Sequence, residues 1–454
     1  MTKFFGVLVL CLAFSTTHAQ LPDDALRTAW YIPGGSARNM AIGGAMGSLG
    51  GDISAANINP AGIGLYKTSE FIISPGVMLN SNKLKYFGID SSSGKNAFSY
   101  GSSGFIFGNA NPNRSNRTSS AFAITFTQLA SYNNHVAYRG INDYSSYSEQ
   151  YLEELVRDGA SPIAAEQNYI FGSSLAYRTY LIDSVNINGQ FTGYKSLVPV
   201  GTGIIQEKTE DTKGGMHEIS FAFAGNTEDK LYLGASINIP FLSYKRDLFY
   251  RETDATKNPN NNFDFSEFTE NFSSSGVGIN AKMGLIYKAT KQFRLGFALH
   301  TPSFMSMKDK IRASMSTNTE GYTPYGTLTE SSDNLNGGNA GERTYTLQTP
   351  WRAIGSLSFV FSETADTKKQ RGFITADLEY VNYRGARFYS ADANDETGVN
   401  YYTTLNDVIK DVYKGALNFR AGGEIKFDPL MLRLGAAYYG SPYYDKQLKT
   451  NRMM

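Results

Sequence analysis

The chain is poor in cysteine, histidine and tryptophan, has no excess of either charge, and carries no long apolar run after its first residues. Of 454 residues, one is cysteine, four are histidine and two are tryptophan, and 42 Lys+Arg face 41 Asp+Glu. Such a balance gives no basic field for phosphates, so no nucleic-acid partner is expected. Past the N-terminal start, nothing approaches the ~20 apolar residues of a membrane-crossing helix. Charge runs are missing while aromatics reach 13%, which excludes a disordered chain. Apart from His18, the histidines are His135, His217 and His300, too scattered for metal-ligand spacing. No Gly-x-Ser-x-Gly elbow occurs either. Neither enzyme activity nor a cofactor or metal is therefore expected. These absences leave a membrane β-barrel open, because a barrel hides its hydrophobicity in alternate residues.

Met1 to Ala19 has the make-up of a secretory signal peptide. Lys3 supplies the positive start, Phe4 to Phe14 the apolar core and Thr17-His18-Ala19 a small-residue cleavage site before Gln20. The core is too short to span a bilayer. Cys11 lies inside it; a lipid-anchored start at that cysteine is the alternative, but apolar residues continue beyond it. Removing this segment takes away Lys3 and the cysteine, leaving 41 positive and 41 negative residues and no disulfide.

What is present is alternation. In Leu231–Ile239, the residues Leu231, Leu233, Ala235, Ile237 and Ile239 share one face, and Tyr232, Gly234, Ser236 and Asn238 the other. Val277–Tyr287, Phe293–His300, Leu417–Phe427 and Leu430–Tyr438 repeat the scheme, as do Phe71–Leu79, Ala121–Leu129, Ile219–Phe223, Trp351–Phe361 and Ile374–Tyr380. Period two over such lengths predicts strands. A secreted sandwich would wet its second face with many charges. Here that face is Gly, Ser, Asn and isolated ionic residues, which suits a crowded lumen. Segments of ~9–11 residues also match a tilted crossing of a bilayer. Tight turns at Asn226–Asp229, Ala289–Gln292 and Asp428-Pro429 alternate with long polar stretches at Tyr244–Ser273, Thr301–Thr344 and Arg384–Lys414. A membrane barrel has this asymmetry, with short periplasmic turns and long external loops.

Two loop segments carry a helical pattern. Ser148–Asp158 groups Tyr151, Leu152 and Leu155 after a Ser148 cap, and Leu405–Tyr413 groups Leu405, Val408, Ile409 and Val412. Such helices either pack over the barrel mouth or offer their apolar faces to a lipid-like substrate.

Before the first strand, expected near Thr68, come Ser36–Ala45 and Asp52–Tyr66. Gly43, Gly44, Gly47, Gly50 and Gly51 suggest a phosphate loop only superficially. No strand precedes them and no Gly-Lys-Ser/Thr follows. A compact segment of small residues that approaches a barrel wall closely is the better account, with Asn59-Pro60 and Ala61-Gly62 as turn punctuation.

The pattern Ala37-Arg38-x-x-Ala41-x-Gly43-Gly44-Ala45, then Asp52, then Asn59-Pro60-Ala61-Gly62-Ile63-Gly64-Leu65 resembles the long-chain fatty-acid transporter family of outer membranes, the FadL and TodX type. Gly276–Gly284, Arg294–Pro302 and Arg433–Pro442 resemble its Gly-rich last third. The resemblance runs, with gaps at loops, from about Ala37 to Pro442. It implies an all-β, transmembrane antiparallel barrel of about fourteen strands. Residues 20–66 would fold into the lumen as a hatch and residues 67–454 would form the wall. Arg38, Gly43, Gly44, Asn59, Pro60, Ala61 and Gly62 would be the hatch motif. The pattern itself yields about eleven or twelve strands, so the last strands are expected beyond Met454. By resemblance the barrel is a monomer in outer-membrane lipid. It would pass hydrophobic small molecules, fatty acids first, which leave through the wall or past the hatch. Aromatic hydrocarbons are the second substrate class, and a structural or adhesive barrel is the alternative from another class.

The second-face charges Arg294, His300, Asp377, Glu379, Arg420, Glu424 and Arg433 are expected to point into the lumen. There they either pair with each other and the hatch, or one basic group meets a substrate carboxylate.

Overall fold

The alternating segments do form strands, and several run far beyond the alternation that announces them. The computed structural model describes residues 22–31, 34–111, 116–361, 371–427, 429–444 and 452–453; the expected signal peptide over 1–19 lies outside the described residues. In chain order the first strands are β1 (Glu70–Ile72), β2 (Pro75–Tyr86), β3 (Ile89–Tyr100), β4 (Ser103–Ala110), β5 (Arg117–Ser131), β6 (Asn134–Asn142), β7 (Ile182–Ile187) and β8 (Gln190–Ser196). Three long ones follow, β9 (Ile204–Thr227), β10 (Leu231–Asp254) and β11 (Phe265–Lys288). Then come β12 (Phe293–His300), β13 (Phe304–Asn318), β14 (Thr327–Ser331), β15 (Gly341–Gln348), β16 (Arg352–Phe361), β17 (Gly372–Asn382), β18 (Arg387–Ser390), β19 (Gly415–Phe427) and β20 (Leu430–Tyr439).

All neighbours are antiparallel. At the level of the tight turns the order is β1–β4–β5–β9–β10–β11–β12–β16–β17–β19–β20. Further along the strands it becomes β6–β9–β10–β11–β13–β15–β18. Among the described residues no pairing joins β20 to β1. The two levels meet where β12 gives way to β13 at Thr301-Pro302-Ser303, and β15 to β16 at Thr349-Pro350-Trp351. Each proline lacks the N–H a ladder needs, and the threonine before it makes the last pairing at each break, its N–H donating to the Ala281 or Ser303 carbonyl and its hydroxyl accepting in return. Thr301 Oγ1 accepts the Ala281 N–H at 3.0 Å and Thr349 Oγ1 that of Ser303 at 2.8 Å.

Near the tight turns the wall is apolar outside and polar inside. Leu233, Ile237, Met283, Leu378 and Leu432 are more than half exposed. The intervening Ser236, Asn238, Lys282, Asp377 and Glu379 are buried. This inverts a water-soluble protein and places hydrocarbon outside the wall. Outward apolar residues cover Leu233–Phe241 on β10, about the length of one bilayer crossing.

Beyond that band the strands do not stop. The 24-residue β10 and β11 stay paired from Phe241↔Val277 to Thr253↔Phe265. The expectation of a loop over Tyr244–Ser273 is therefore corrected: it is mostly a ladder standing clear of the membrane. The same holds for Thr301–Thr344, which contains β13 and β14. Arg246, Glu252 and Glu270 break the inward faces of β10 and β11, whereas β13 does alternate, with Met305, Met307, Ala313 and Met315 buried against outward Lys308, Lys310 and Arg312.

On this extension sits an insertion of α4 (Glu149–Arg157), α5 (Pro162–Gln167), α6 (Ser173–Arg178) and the β7–β8 hairpin. Tyr151, Leu155, Leu175 and Ile182 pack there against Tyr250, Phe268 and Met315 of the ladder. Ser148 is not the side-chain cap it was expected to be. Its hydroxyl bonds those of Ser146 and Ser196 at 2.8 and 2.7 Å. The second helix, α7 (Glu396–Val412), starts well before Leu405, capped by Asp395 at 3.0 Å. Leu405 and Ile409 are buried, whereas Val408 is 41% exposed and off the packed face.

The β2–β3 hairpin leaves the wall. Its root is tied by the Gly101 N–H on the Ser74 carbonyl at 2.7 Å. Above that it meets the open edge of β6 through side chains alone. Asn80 and Asn82 donate to the Asn133 and His135 carbonyls at 3.2 and 2.6 Å, and Ser91 to the Ala137 carbonyl at 3.1 Å. An edge strand's carbonyls need such partners when water is scarce.

Candidate functional site

The N-terminal segment lines the inner face of the wall. α2 (Ala37–Ala41) begins at Ser36, whose Oγ accepts the Asn39 N–H at 3.1 Å and donates to Asp52 at 2.7 Å. Ser54 Oγ accepts the Ser36 N–H at 2.7 Å, so residues 36 to 54 close on themselves first. Gly43 and Gly44 follow the helix with φ of 71° and 79°, where a side chain would strain the backbone.

α3 (Ala55–Ile58) leads to Asn59, which caps a 3₁₀ turn over Pro60–Leu65. Its Oδ1 accepts the Ala61 N–H at 3.2 Å. Pro60 sits where a turn's first N–H would have no partner. The Asn59 Nδ2 group faces the carbonyls of Gly47 at 2.5 Å, Leu285 at 3.2 Å and Phe297 at 3.3 Å. One carboxamide thereby joins the segment to itself and to β11 and β12. It fits because Gly284 faces it: a Cβ there would overlap Asn59, and one on Gly234 would overlap Pro60 and Ala61.

Charged wall groups grip the same segment by its backbone. Asp377 accepts the N–H groups of Met46 and Gly47, each at 3.1 Å, and the Ser356 hydroxyl at 2.6 Å. Arg294 donates to the Leu49 carbonyl at 2.7 Å. His300 Nε2 donates to that of Ile58 at 2.9 Å. Arg38 lies 3.4 Å from Glu424, whose second partner is Arg433 at 2.6 Å. Arg420 stands between Asp377 at 3.6 Å and Glu379 at 3.5 Å. One segment thus touches strands from β10 round to β19, which requires the sheet to wrap around it.

Of the lumen charges expected from sequence, Arg294, His300, Asp377 and Glu424 touch the segment directly. Arg420 acts through Asp377, and Arg433 through Glu424. Arg352 and Glu218 were not expected. Arg352 donates to the Ala29 carbonyl and lies 3.4 Å from Glu379, while Glu218 pairs with Lys282. Their place on the inward face of alternating strands was the signal available for both.

Above this polar layer the lumen turns apolar. α1 (Pro22–Ala29) buries Ala25, Leu26 and Ala29 among Leu129, Met216, Leu242, Met305, Leu347 and Leu405. Its polar side is held by the Tyr413 hydroxyl on Asp23 at 2.8 Å and by Arg27 over the Tyr244 ring at 4.0 Å. Beside the root of the β2–β3 hairpin lies a cavity of about 330 Å³, mainly apolar, lined by Met40, Met78, Tyr100, Gln128 and Leu129 among others.

Several carboxylates beyond the apolar band are perturbed, Asp211 and Glu252 among them. Lys95, the main cause, and His135 hold Asp211 below its ordinary range. Burial pushes Glu252 up, although the Ser146 hydroxyl at 2.6 Å and the Tyr147 N–H at 2.7 Å favour its charged form. Among the described residues no group of acids, histidines or cysteines could hold a metal.

Fold and site together define a membrane β-barrel wall with its N-terminal segment seated on the inner face. Among solved structures the chain is similar to the toluene transporter TbuX of Ralstonia pickettii, at 14% identity and a TM-score of 0.46 over 92% of this chain and 91% of that one. It is also similar to a Pseudomonas aeruginosa FadL homologue, at 13% identity and 0.47 over 94% and 85%, and to the P. putida toluene transporter TodX, at 13% and 0.48 over 90% and 84%. No protein-family model matches the chain, and no curated protein matches it. The function proposed below rests on this chain's own residues.

Proposed function

We propose that the chain is an outer-membrane barrel through which hydrophobic molecules diffuse, long-chain fatty acids first among them. The observation that carries this reading is the apolar cluster packed around α1, a chamber once α1 is displaced, set above the ionic layer of the lumen. Aqueous pores have no use for buried Leu and Met walls, whereas an acyl chain needs them. Arg352 borders the chamber and holds the carbonyl at the end of α1, a group with partial negative charge. With α1 displaced, that guanidinium would face a carboxylate headgroup while the chamber takes the tail. The cavity beside the hairpin root supports departure through the wall towards the bilayer, with the N-terminal segment otherwise closing the lumen.

Tyr244, Phe272, Tyr345, Phe388 and Tyr402 also line the chamber, which favours aromatic hydrocarbons as the second reading. Mass spectrometry of lipids co-purifying with the full chain from outer membranes, against an unrelated barrel, tests the proposal. Enriched free fatty acids are expected. No enrichment, with no saturable binding of added fatty acid, would reject transport in favour of a structural or adhesive barrel.

A further inference from the structure

The register of the ladder brings four lysines together on the outer surface just above the apolar band. Lys213 on β9 lies directly opposite Lys245 on β10. Lys245 is opposite Ser273 on β11, and Ser273 opposite Lys310 on β13. One row lower, Ser243 is opposite Ser275, and Ser275 opposite Lys308. The row beneath that is Phe241 and Val277, the last apolar rung. Lys213 and Lys245 are exposed, and Lys308 and Lys310 are about half so.

Among the described residues the arrangement is only partly neutralised. Lys308 and Lys310 share one carboxylate, Glu342, at 2.7 and 2.5 Å. Lys213 and Lys245 form no ion pair among the described residues. Like charges directly opposite on neighbouring strands are destabilising. The acids nearest them on the same faces, Asp211 and Asp247, stand one row further from the membrane and are engaged elsewhere. Asp211 binds Lys95 and His135, and Asp247 accepts from Asn271 at 2.8 Å. Arg312, in that same higher row, is taken by Asp333. The membrane-side rows are thus net positive, four lysines against the one carboxylate of Glu342 opposite Lys310, while the row above them carries Asp211 and Asp247 opposite each other.

The height fits as well. Lys245 is four residues past Phe241, about 13 Å along the strand and about 10 Å in height at a tilt near 40°. A headgroup layer is roughly 5–8 Å deep, and a lysine can bend its ammonium towards it. Ser243, Ser273 and Ser275 add hydroxyl donors between the lysines.

We propose that this face binds the phosphate-bearing headgroup of an outer-leaflet lipid, with Lys213 and Lys245 as the principal contacts and Lys308 and Lys310 completing the row. The inference rests on the membrane placement proposed above but not on transport, and lipid binding can be measured without any substrate.

The test is native mass spectrometry of the full chain in detergent with diphosphoryl lipid A, its dephosphorylated form, and inorganic phosphate as competitor. The diphosphoryl lipid should be retained and the dephosphorylated form should not. Lys213→Gln/Lys245→Gln should weaken retention about thirtyfold, from about 1 kcal/mol per lysine near a charged surface. Lys83→Gln, on the hairpin away from the row, should leave it unchanged. Equal retention by the double variant, or equal retention of both lipids, would overturn the proposal. Displacement by inorganic phosphate at the lipid's own concentration would show an anion site rather than a lipid one and overturn it too. If the double variant does not fold, loss of the wild-type lipid with rising salt becomes the deciding measurement; salt-independent retention counts against the lysines.

Discussion

Gly284 of the wall leaves open the space that the Asn59 carboxamide fills. A methyl group on Gly284 would occupy the position of Asn59 Oδ1, so the two positions are tied although they lie on different elements. Gly284→Ala should destabilise the seated N-terminal segment by about 1–3 kcal/mol through overpacking. Amide exchange of residues 43–64 should speed up while that of the outer ladder stays unchanged.

Asn59→Asp tests the same contact by charge rather than volume. The carboxamide faces three carbonyl oxygens, and a carboxylate has no hydrogen to offer them. The N-terminal segment should loosen, with cleavage by added protease near Gly50-Gly51. The barrel should still assemble, as judged by its heat-modifiable migration. Failure of assembly alone would make the Asn-Pro-Ala-Gly block a folding element.

Asp377→Asn leaves Arg420 with Glu379 as its one remaining ionised partner and weakens the grip on Met46 and Gly47. Removing one member of a buried pair costs about 3–5 kcal/mol. The expected result is a lower unfolding temperature together with faster exchange at residues 45–49. Asp377→Glu should not rescue it, because both N–H groups converge on one short side chain.

Arg352→Met separates the two substrate classes. If a carboxylate is read by this guanidinium, fatty-acid affinity should fall about ten- to a hundredfold. Uptake of a single-ring aromatic hydrocarbon should be unchanged or faster, since α1 also loses its anchor. Equal loss for both substrates would assign Arg352 to holding the segment only.

The hairpin should respond to acid. Lys95 and His135 hold the Asp211 carboxyl below its usual value, so its contribution is complete above the unfolded pKa near 4 and is lost as pH falls through the folded one. Spin labels at Lys83→Cys and Arg139→Cys should keep one distance from pH 8 to about 5 and spread below about 4. Lys95→Met should broaden that distance already at neutral pH, modestly, because the pair is partly exposed to water.

Much of the lower wall is legible in the sequence. Leu231–Ile239 and Leu417–Phe427 announce themselves because lipid on one side and a crowded lumen on the other force unlike faces. Tyr244–Asp254 and Phe265–Ser273 do not, because water wets one side and polar groups fill much of the other. α1 was not separated from the rest of residues 20–66, since eight residues give little periodicity and its apolar face is three residues. The lumen charges were legible by face but not by partner. Asp377 and Met46 are more than 300 residues apart, and only the curved sheet with the N-terminal segment seated on its inner face brings them together.

The hairpin of Pro75–Tyr100 touches β6 by side chains and is continuous with the wall only at its root. Its tip, Phe87-Gly88, is a two-residue turn with both φ positive, 44° and 82°. Residues added at that tip would shift no rung of the barrel. The chain thereby offers a graft point for a foreign peptide, held above the band of lysines and independent of the register of the wall strands.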